Sequence, residues 1–171
     1  MRFSKFIFLL AFLTSTSVAF SQLSENAIGL RLGGSDGIGP EISYQRLLGE
    51  SNRLELDLGF NSKNTYDAFK LTGIYQWVRP LSALGDGFHW YFGVGAGIGF
   101  FDYDPALPAF ADGDNEEIFV SADGMVGVEY SFLQQDLPLM IALDLNPEVE
   151  LINEFNDDFD LELALSIRYQ F

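Results

Sequence analysis

From residue 23 onward the chain alternates apolar and polar residues with a period of two, and no useful length repeats at the helical spacing. Period two is what a strand with one greasy and one wet face requires, because successive side chains leave a strand on opposite sides. Eight such segments are delimited by Gly, Pro, Asn, Asp and Ser: 27–33, 41–47, 53–60, 68–78, 88–101, 117–132, 137–146 and 159–171. One parity reads, for example, Leu54, Leu56, Leu58 and Phe60, then Leu161, Leu163, Leu165, Ile167, Tyr169 and Phe171, and its nearest charges are Arg46 and Asp67, at segment ends. The other parity carries the ionisable residues, with Ser, Thr and Gln between them. An all-β fold of eight antiparallel strands is expected.

The connections fall into two alternating sets. Segments 34–39, 61–65, 102–116 and 147–158 include the two longest and most acidic; 48–52, 79–87 and 133–136 are shorter. An even number of strands puts both chain ends on the side of the short set. Alternation by itself leaves two solutions open, since a soluble secreted barrel that binds a small apolar ligand turns the greasy face inward and shows the same pattern. Three features favour the opposite arrangement, a closed barrel with its apolar face outward. The polar parity of the fifth segment reads Gly93, Gly95, Gly97, Gly99, which weakens a strand but relieves crowding in a narrow lumen. Aromatic residues on the apolar parity sit near segment ends: Trp77, Trp90, Tyr130, Tyr169 and Phe171 at the level of the chain ends, Phe60, Phe69, Phe100 and Phe159 at the opposite level. Two aromatic girdles around an aliphatic band suit a bilayer and have no purpose in a soluble core. The third feature is the closing run from Leu163 to Phe171.

Residues 1–21 read as a secretory signal. Arg2 and Lys5 precede the apolar run 6–13, which is too short to cross a bilayer, and Ala19 and Ser21 are small residues before a cut that leaves 22–171 as one domain. Removal of that segment takes away two of the nine basic residues and none of the 25 acidic ones. Such acidity argues against nucleic acid as a partner. With no cysteine, neither a disulfide framework nor a thiolate site exists, and packing, pairing and charge must carry the stability.

A leader, eight alternating strands and apolar alternation closing on Phe171 together resemble the small OmpA/OmpX-like outer-membrane β-barrel family over the whole of 22–171. The resemblance implies an eight-stranded antiparallel up-and-down transmembrane β-barrel in the outer membrane of a Gram-negative cell, monomeric, with outer-membrane lipids as surroundings. It also implies recognition by the outer-membrane assembly machinery through Phe171. The extra periplasmic domain of full-length OmpA-like proteins has no counterpart in this sequence, so peptidoglycan binding is not implied.

Candidate chemistry is sparse. The lumen parity carries Glu41, Glu55, Asp57, Asp123, Glu129, Asp144, Asp160 and Glu162 against Arg31, Arg53, Lys70 and Arg168, with His89 near the chain-end level. Buried charges need partners, so this set is expected to form a polar network that stands in for an apolar core, with surplus carboxylates at the mouths, protonated or holding cations. A lipid-modifying barrel enzyme would need a serine activated by histidine at a lipid-facing surface. His89 has lumen parity instead, and two residues on stands Tyr91. Asp112-Gly113-Asp114-Asn115-Glu116 spaces oxygen ligands closely enough for Ca²⁺ but lacks the EF-hand register, so a solvated acidic loop is the better reading. Gly93-Val94-Gly95-Ala96-Gly97 lies inside a strand and opens no helix, so it is no nucleotide site, and no cofactor is called for. The expected role is non-enzymatic, structural or recognitive, through the acidic connections 102–116 and 147–158; a general-diffusion pore needs a wider barrel.

Overall fold

A computed structural model describes residues 23–33, 38–103, 116–152 and 159–171. It contains eight strands: β1 (Asn26–Leu32), β2 (Glu41–Leu47), β3 (Asn52–Lys63), β4 (Tyr66–Pro80), β5 (Phe88–Tyr103), β6 (Glu116–Ser131), β7 (Leu139–Ile152) and β8 (Phe159–Gln170). Each pairs antiparallel with its neighbours in chain order, and β8 returns to β1, so the sheet closes into a barrel. The seam is locked where the Asn26 N–H donates to the Phe171 carbonyl and the Phe171 N–H to that of Asn26. Closure leaves no sheet edge along the paired rows.

Strands β3, β4, β5 and β7 run longer than the alternation suggests, while β6 keeps its expected length one residue earlier. The β3–β4 connection shrinks to Asn64 and Thr65, and Asp102 and Tyr103 extend β5. The largest difference concerns 147–158, expected as a long acidic connection that opens on Pro147, a residue that lacks an N–H and rarely continues a ladder. Instead β7 continues through Pro147 to Ile152, which turns Glu148 and Glu150 from loop acids into strand residues. The break is local: the β6–β7 register passes from Asp123↔Glu148 to Val126↔Leu145, while Pro147 stays opposite Leu161 on β8. A register shift at Val120/Ser121 takes up a further irregularity on the same edge.

The turns at the chain-end level are tight for stated reasons. Gly87 enters β5 at φ 91°, and a Cβ there would meet the Ser131 carbonyl at 2.8 Å, so both conformation and space call for glycine. Between β6 and β7 a 3₁₀ turn, Leu133–Gln135, is closed by Asp136 in the left-handed region at φ 57°, a conformation that short polar side chains tolerate.

The barrel's surface is inside-out relative to a soluble domain. Val94 is 58% exposed and Leu163 61%, and Leu56, Ile141 and Leu165 also point outward. Arg168, Glu55, Asp57 and Asp144 lie in the interior at 2% exposure or less.

Candidate functional site

Because inward side chains come from every strand, charges far apart in sequence meet across a narrow tube. The structure places Arg31, Glu41, Arg53, Glu55, Asp57, Lys70, His89, Asp123, Glu129, Asp144, Glu162 and Arg168 all in the interior, each buried. They are sorted into groups along the axis. Nearest the chain ends, Arg53 of β3 forks onto Glu129 of β6, Nη1 donating to Oε1 at 3.0 Å and Nη2 to Oε2 at 2.6 Å. Its Nε donates to Gln76 Oε1, and the guanidinium lies 4.8 Å from the Tyr91 ring centre. Two parallel N–H···O bonds and a ring face use nearly all that a planar guanidinium offers. His89 sits beside this group, Nδ1 3.9 Å from Glu129 Oε1, enclosed and away from the outer surface.

Deeper in the tube, Glu55 accepts hydrogen bonds from Gln45 at 2.6 Å, Gln76 at 2.8 Å, Ser43 at 3.3 Å and Arg168 at 2.5 Å. Arg168 also donates from Nε to Ser43 Oγ at 2.9 Å. Next comes Arg31, shared by three carboxylates: Glu41 at 2.5 Å, Glu162 at 2.7 Å and Asp144 at 3.1 Å. The Tyr91 hydroxyl donates to the other oxygen of Asp144 at 3.0 Å, which ties the guanidinium groups together through a neutral donor. Toward the far end Lys70 pairs with Glu148 at 2.5 Å, with its Nζ 5.9 Å from the Phe119 ring centre. A buried ion pair of this sort stabilises little in net terms, yet losing one partner strands a charge and costs about 3–5 kcal/mol.

Sequence reasoning missed two parts of the interior. Glu148 was hidden by Pro147, although it shares the parity of Asp144 and Asn146, which would have revealed it. The second is an apolar layer at the chain-end level: Ile74, Val78, Tyr91, Met125 and Ala142 pack together in the lumen, with Leu23 against them. Apolar residues on a polar parity give no signal of their own, since only the closed barrel brings β4, β5, β6 and β7 to one level. Asp160, on the same parity, remains half-exposed at the far end of β8.

The glycine run of β5 makes room for this filling. A Cβ on Gly97 would stand 2.5 Å from Ser121 Oγ, and one on Gly93 2.7 Å from Ile74 Cγ2; Gly99 faces the Phe119 ring and Gly95 the backbone of Gly73. Gly127 gives Tyr91 its place in the same way.

Outside, the aromatic residues form two levels. Trp77 stacks on Phe92 at 5.1 Å, Phe92 lies 5.7 Å from Trp90, Tyr130 packs on Phe88 at 4.5 Å, and Tyr169 lies 6.2 Å from Phe171. Phe60 and Phe159 stand out at the other level, 63% and 65% exposed. Trp90 and Phe100 bracket the outward aliphatic run of β5; ten residues at ~3.4 Å each, tilted by ~40°, separate the levels by ~26 Å. The apolar band of membrane-embedded barrels is ~25 Å tall.

Asp112 and Asp114 fall outside the described residues, and Glu116 opens β6 with its side chain likewise outside them. Among the described residues no group of three His, Asp or Glu is placed to hold a metal ion.

A closed eight-stranded up-and-down barrel with an apolar outer belt and an ion-paired interior defines the architectural class of the small outer-membrane barrels. Solved structures share the fold. The chain matches the crystal structure of Neisserial surface protein A (NspA) with a TM-score of 0.59 at 13% identity, over 85% of this chain and 94% of that one. It matches the N-terminal β-barrel domain of Pseudomonas aeruginosa OprF with a TM-score of 0.64 at 13% identity, over 87% of this chain and 100% of that one. No protein-family model matches the chain, and no curated protein matches it in sequence.

Proposed function

We propose that this protein is a non-enzymatic barrel of the bacterial outer membrane, exported by a cleaved leader, which holds a rigid polar-filled scaffold across the bilayer and presents its far-end connections to the exterior. The observation that carries the reading is the outer belt. Every row from Trp90 to Phe100 and from Tyr169 to Phe159 puts an apolar side chain or alanine outward, over a height that matches a hydrocarbon core. In water such a surface, far above a few hundred Å² of contiguous apolar area, would aggregate.

The interior supports a scaffold over a passage, since Arg53, Glu55, Arg168 and Arg31 fill successive levels of the tube with their own partners. It also supports the non-enzymatic reading: His89 is enclosed beside Glu129, where it cannot activate a serine toward a lipid-borne substrate. The asymmetry of the two ends favours surface display, because β3 to β7 extend well beyond β1 and β2 on the side away from the chain ends.

The experiment is expression in a Gram-negative host, separation of outer-membrane, inner-membrane and soluble fractions, and gel mobility with and without boiling. Recovery in the outer-membrane fraction with a compact, heat-modifiable band is expected. Recovery in the soluble fraction without detergent would overturn the reading.

A further inference from the structure

Charge in the interior does not balance. Among the described residues eight carboxyl side chains are buried there against four lysine and arginine side chains. The sequence has no lysine or arginine at 34–37, 104–115 or 153–158, and the remaining described ones are held elsewhere: Arg46 on Glu25, Lys63 on Tyr66 and Arg79 on the Val78 carbonyl. Most of the carboxyls have a base. Glu129 and Glu55 each hold an arginine, Lys70 holds Glu148, and Glu41, Asp144 and Glu162 share Arg31. Two are left, Asp57 and Asp123, 2% and 4% exposed, and each has its Oδ1 without a hydrogen-bond partner. Burying an ionised carboxylate without a compensating charge is among the costliest arrangements in a fold.

The two carboxyls flank one stretch of the wall. Asp57, Thr72, Gly97 and Ser121 stand opposite one another in successive pairs from β3 to β6, and Asp123 is the next inward residue of β6. Gly97 contributes no side chain to this row. A Cβ there would lie 2.5 Å from Ser121 Oγ, 3.3 Å from Thr72 Oγ1 and 3.4 Å from Asp123 Oδ2, so three oxygen atoms lean over the glycine. The Ser121 hydroxyl donates to Asp123 Oδ2 at 3.0 Å, which engages one oxygen of that carboxyl and not the other. Beyond Asp123 runs β7, where Asn146 is the inward residue next to Glu148, the register partner of Asp123. Asn146 is 6% exposed, and its Oδ1 also has no hydrogen-bond partner. This oxygen is neutral and stands apart from the acid surplus, yet a buried amide oxygen calls for a donor or a cation in the same way.

We propose that the lumen over Gly97 binds one calcium ion, with Asp57 and Asp123 as its anionic partners and Asn146, Thr72 and Ser121 as neutral oxygen donors. The set is all oxygen, without imidazole or sulfur, and so selects a hard cation. Two carboxylates match the charge of one divalent ion. The donors come from β3, β4, β6 and β7 at uneven spacing, which calcium accepts and magnesium, held to near-ideal octahedra, does not. Strands β3 and β6 lie three apart round a tube just wide enough for side chains to meet. Among the described residues no three acidic or histidine side chains gather round one point, so water completes the shell. The inference needs only the closed barrel, whatever compartment holds it.

The test is NMR of the full chain refolded in phosphatidylcholine nanodiscs, titrated with calcium chloride at neutral pH and constant ionic strength. The amides of Thr72, Gly97 and Ser121 are expected to shift saturably, while those of Gly29 and Gly127, nearer the chain ends, stay in place. Asp123→Asn and Asp57→Asn are each expected to weaken the titration at least about tenfold. Asp160→Asn, at a half-exposed position outside the site, is expected to leave it unchanged. Should the site variants fail to refold, the carboxyl carbons of Asp57 and Asp123 in the parent protein decide, and calcium is expected to move both. Absence of saturable shifts, or equal affinity in Asp123→Asn, would overturn the site. So would carboxyl carbons at the neutral-acid position that calcium does not move, since protons then meet the charge. A loss in Asp160→Asn as large as in Asp123→Asn would reduce the effect to counter-ions at the mouth and overturn it as well. The same shifts with sodium chloride alone would overturn the assignment of a divalent ion.

Discussion

Replacing Val94 by arginine separates a lipid-facing belt from a water-facing one. Val94 points outward from β5 and is 58% exposed, so the longer side chain meets no protein atom that must move. It lies four residues from Trp90 and six from Phe100, which at ~3.4 Å per residue and ~40° tilt is ~10 Å from one aromatic level and ~16 Å from the other. That is close to the centre of the band, where arginine costs about 2–4 kcal/mol, against about 0–1 kcal/mol near the interfaces. Val94→Arg is therefore expected to lower the folding equilibrium constant by roughly two decades, and Phe100→Arg, at the rim, by less than one. The assay is urea titration of the protein refolded in lipid vesicles, followed by the heat-modifiable band. On a wetted surface both substitutions would stay within about 0.5 kcal/mol of the parent. Equal and small effects at the two positions would refute the argument from depth.

Arg53→Met leaves Glu129 buried without its fork and is expected to cost about 3–5 kcal/mol in the same titration, while the double substitution Arg53→Met with Glu129→Met recovers more than half of that loss. Gly127→Ala adds a methyl 2.5 Å from the Tyr91 ring and is expected to cost about 1–3 kcal/mol; a neutral result would mean that the lumen is loosely packed. Trp77 and Trp90, in the aromatic level near the chain ends, are expected to be quenched more by lipids brominated near the headgroup than by lipids brominated at the chain terminus, and the reverse order would misplace that level. In planar bilayers the intact protein is expected to give no sustained conductance, because the ion-paired levels block the tube; steady open channels would contradict the filled interior.

The one-dimensional pattern determined more here than it does for most folds. In a closed barrel each residue's parity settles which side of the wall it occupies, and parity is visible in the string itself. Leu54 to Phe60 and Leu161 to Phe171 were legible as one face, and Arg53, Glu55 and Asp57 as the other, with no knowledge of any partner. The sense of that surface, greasy side outward, was legible too, from the girdles and from the glycine run on β5, because both answer to the size and surroundings of the tube and not to local propensity. Tertiary structure alone decided which opposite charges meet. Arg53 and Glu129 are 76 positions apart and Arg31 and Asp144 are 113, distances that only closure and stagger convert into contact. It also decided where the wall ends: Pro147 reads locally as a terminator, yet β7 passes through it because β8 holds its other edge, whereas Pro40, on the rim beside a seam of few pairs, does stop β2. A proline's local effect is the same in both places, and the neighbouring strands determine whether it breaks the sheet.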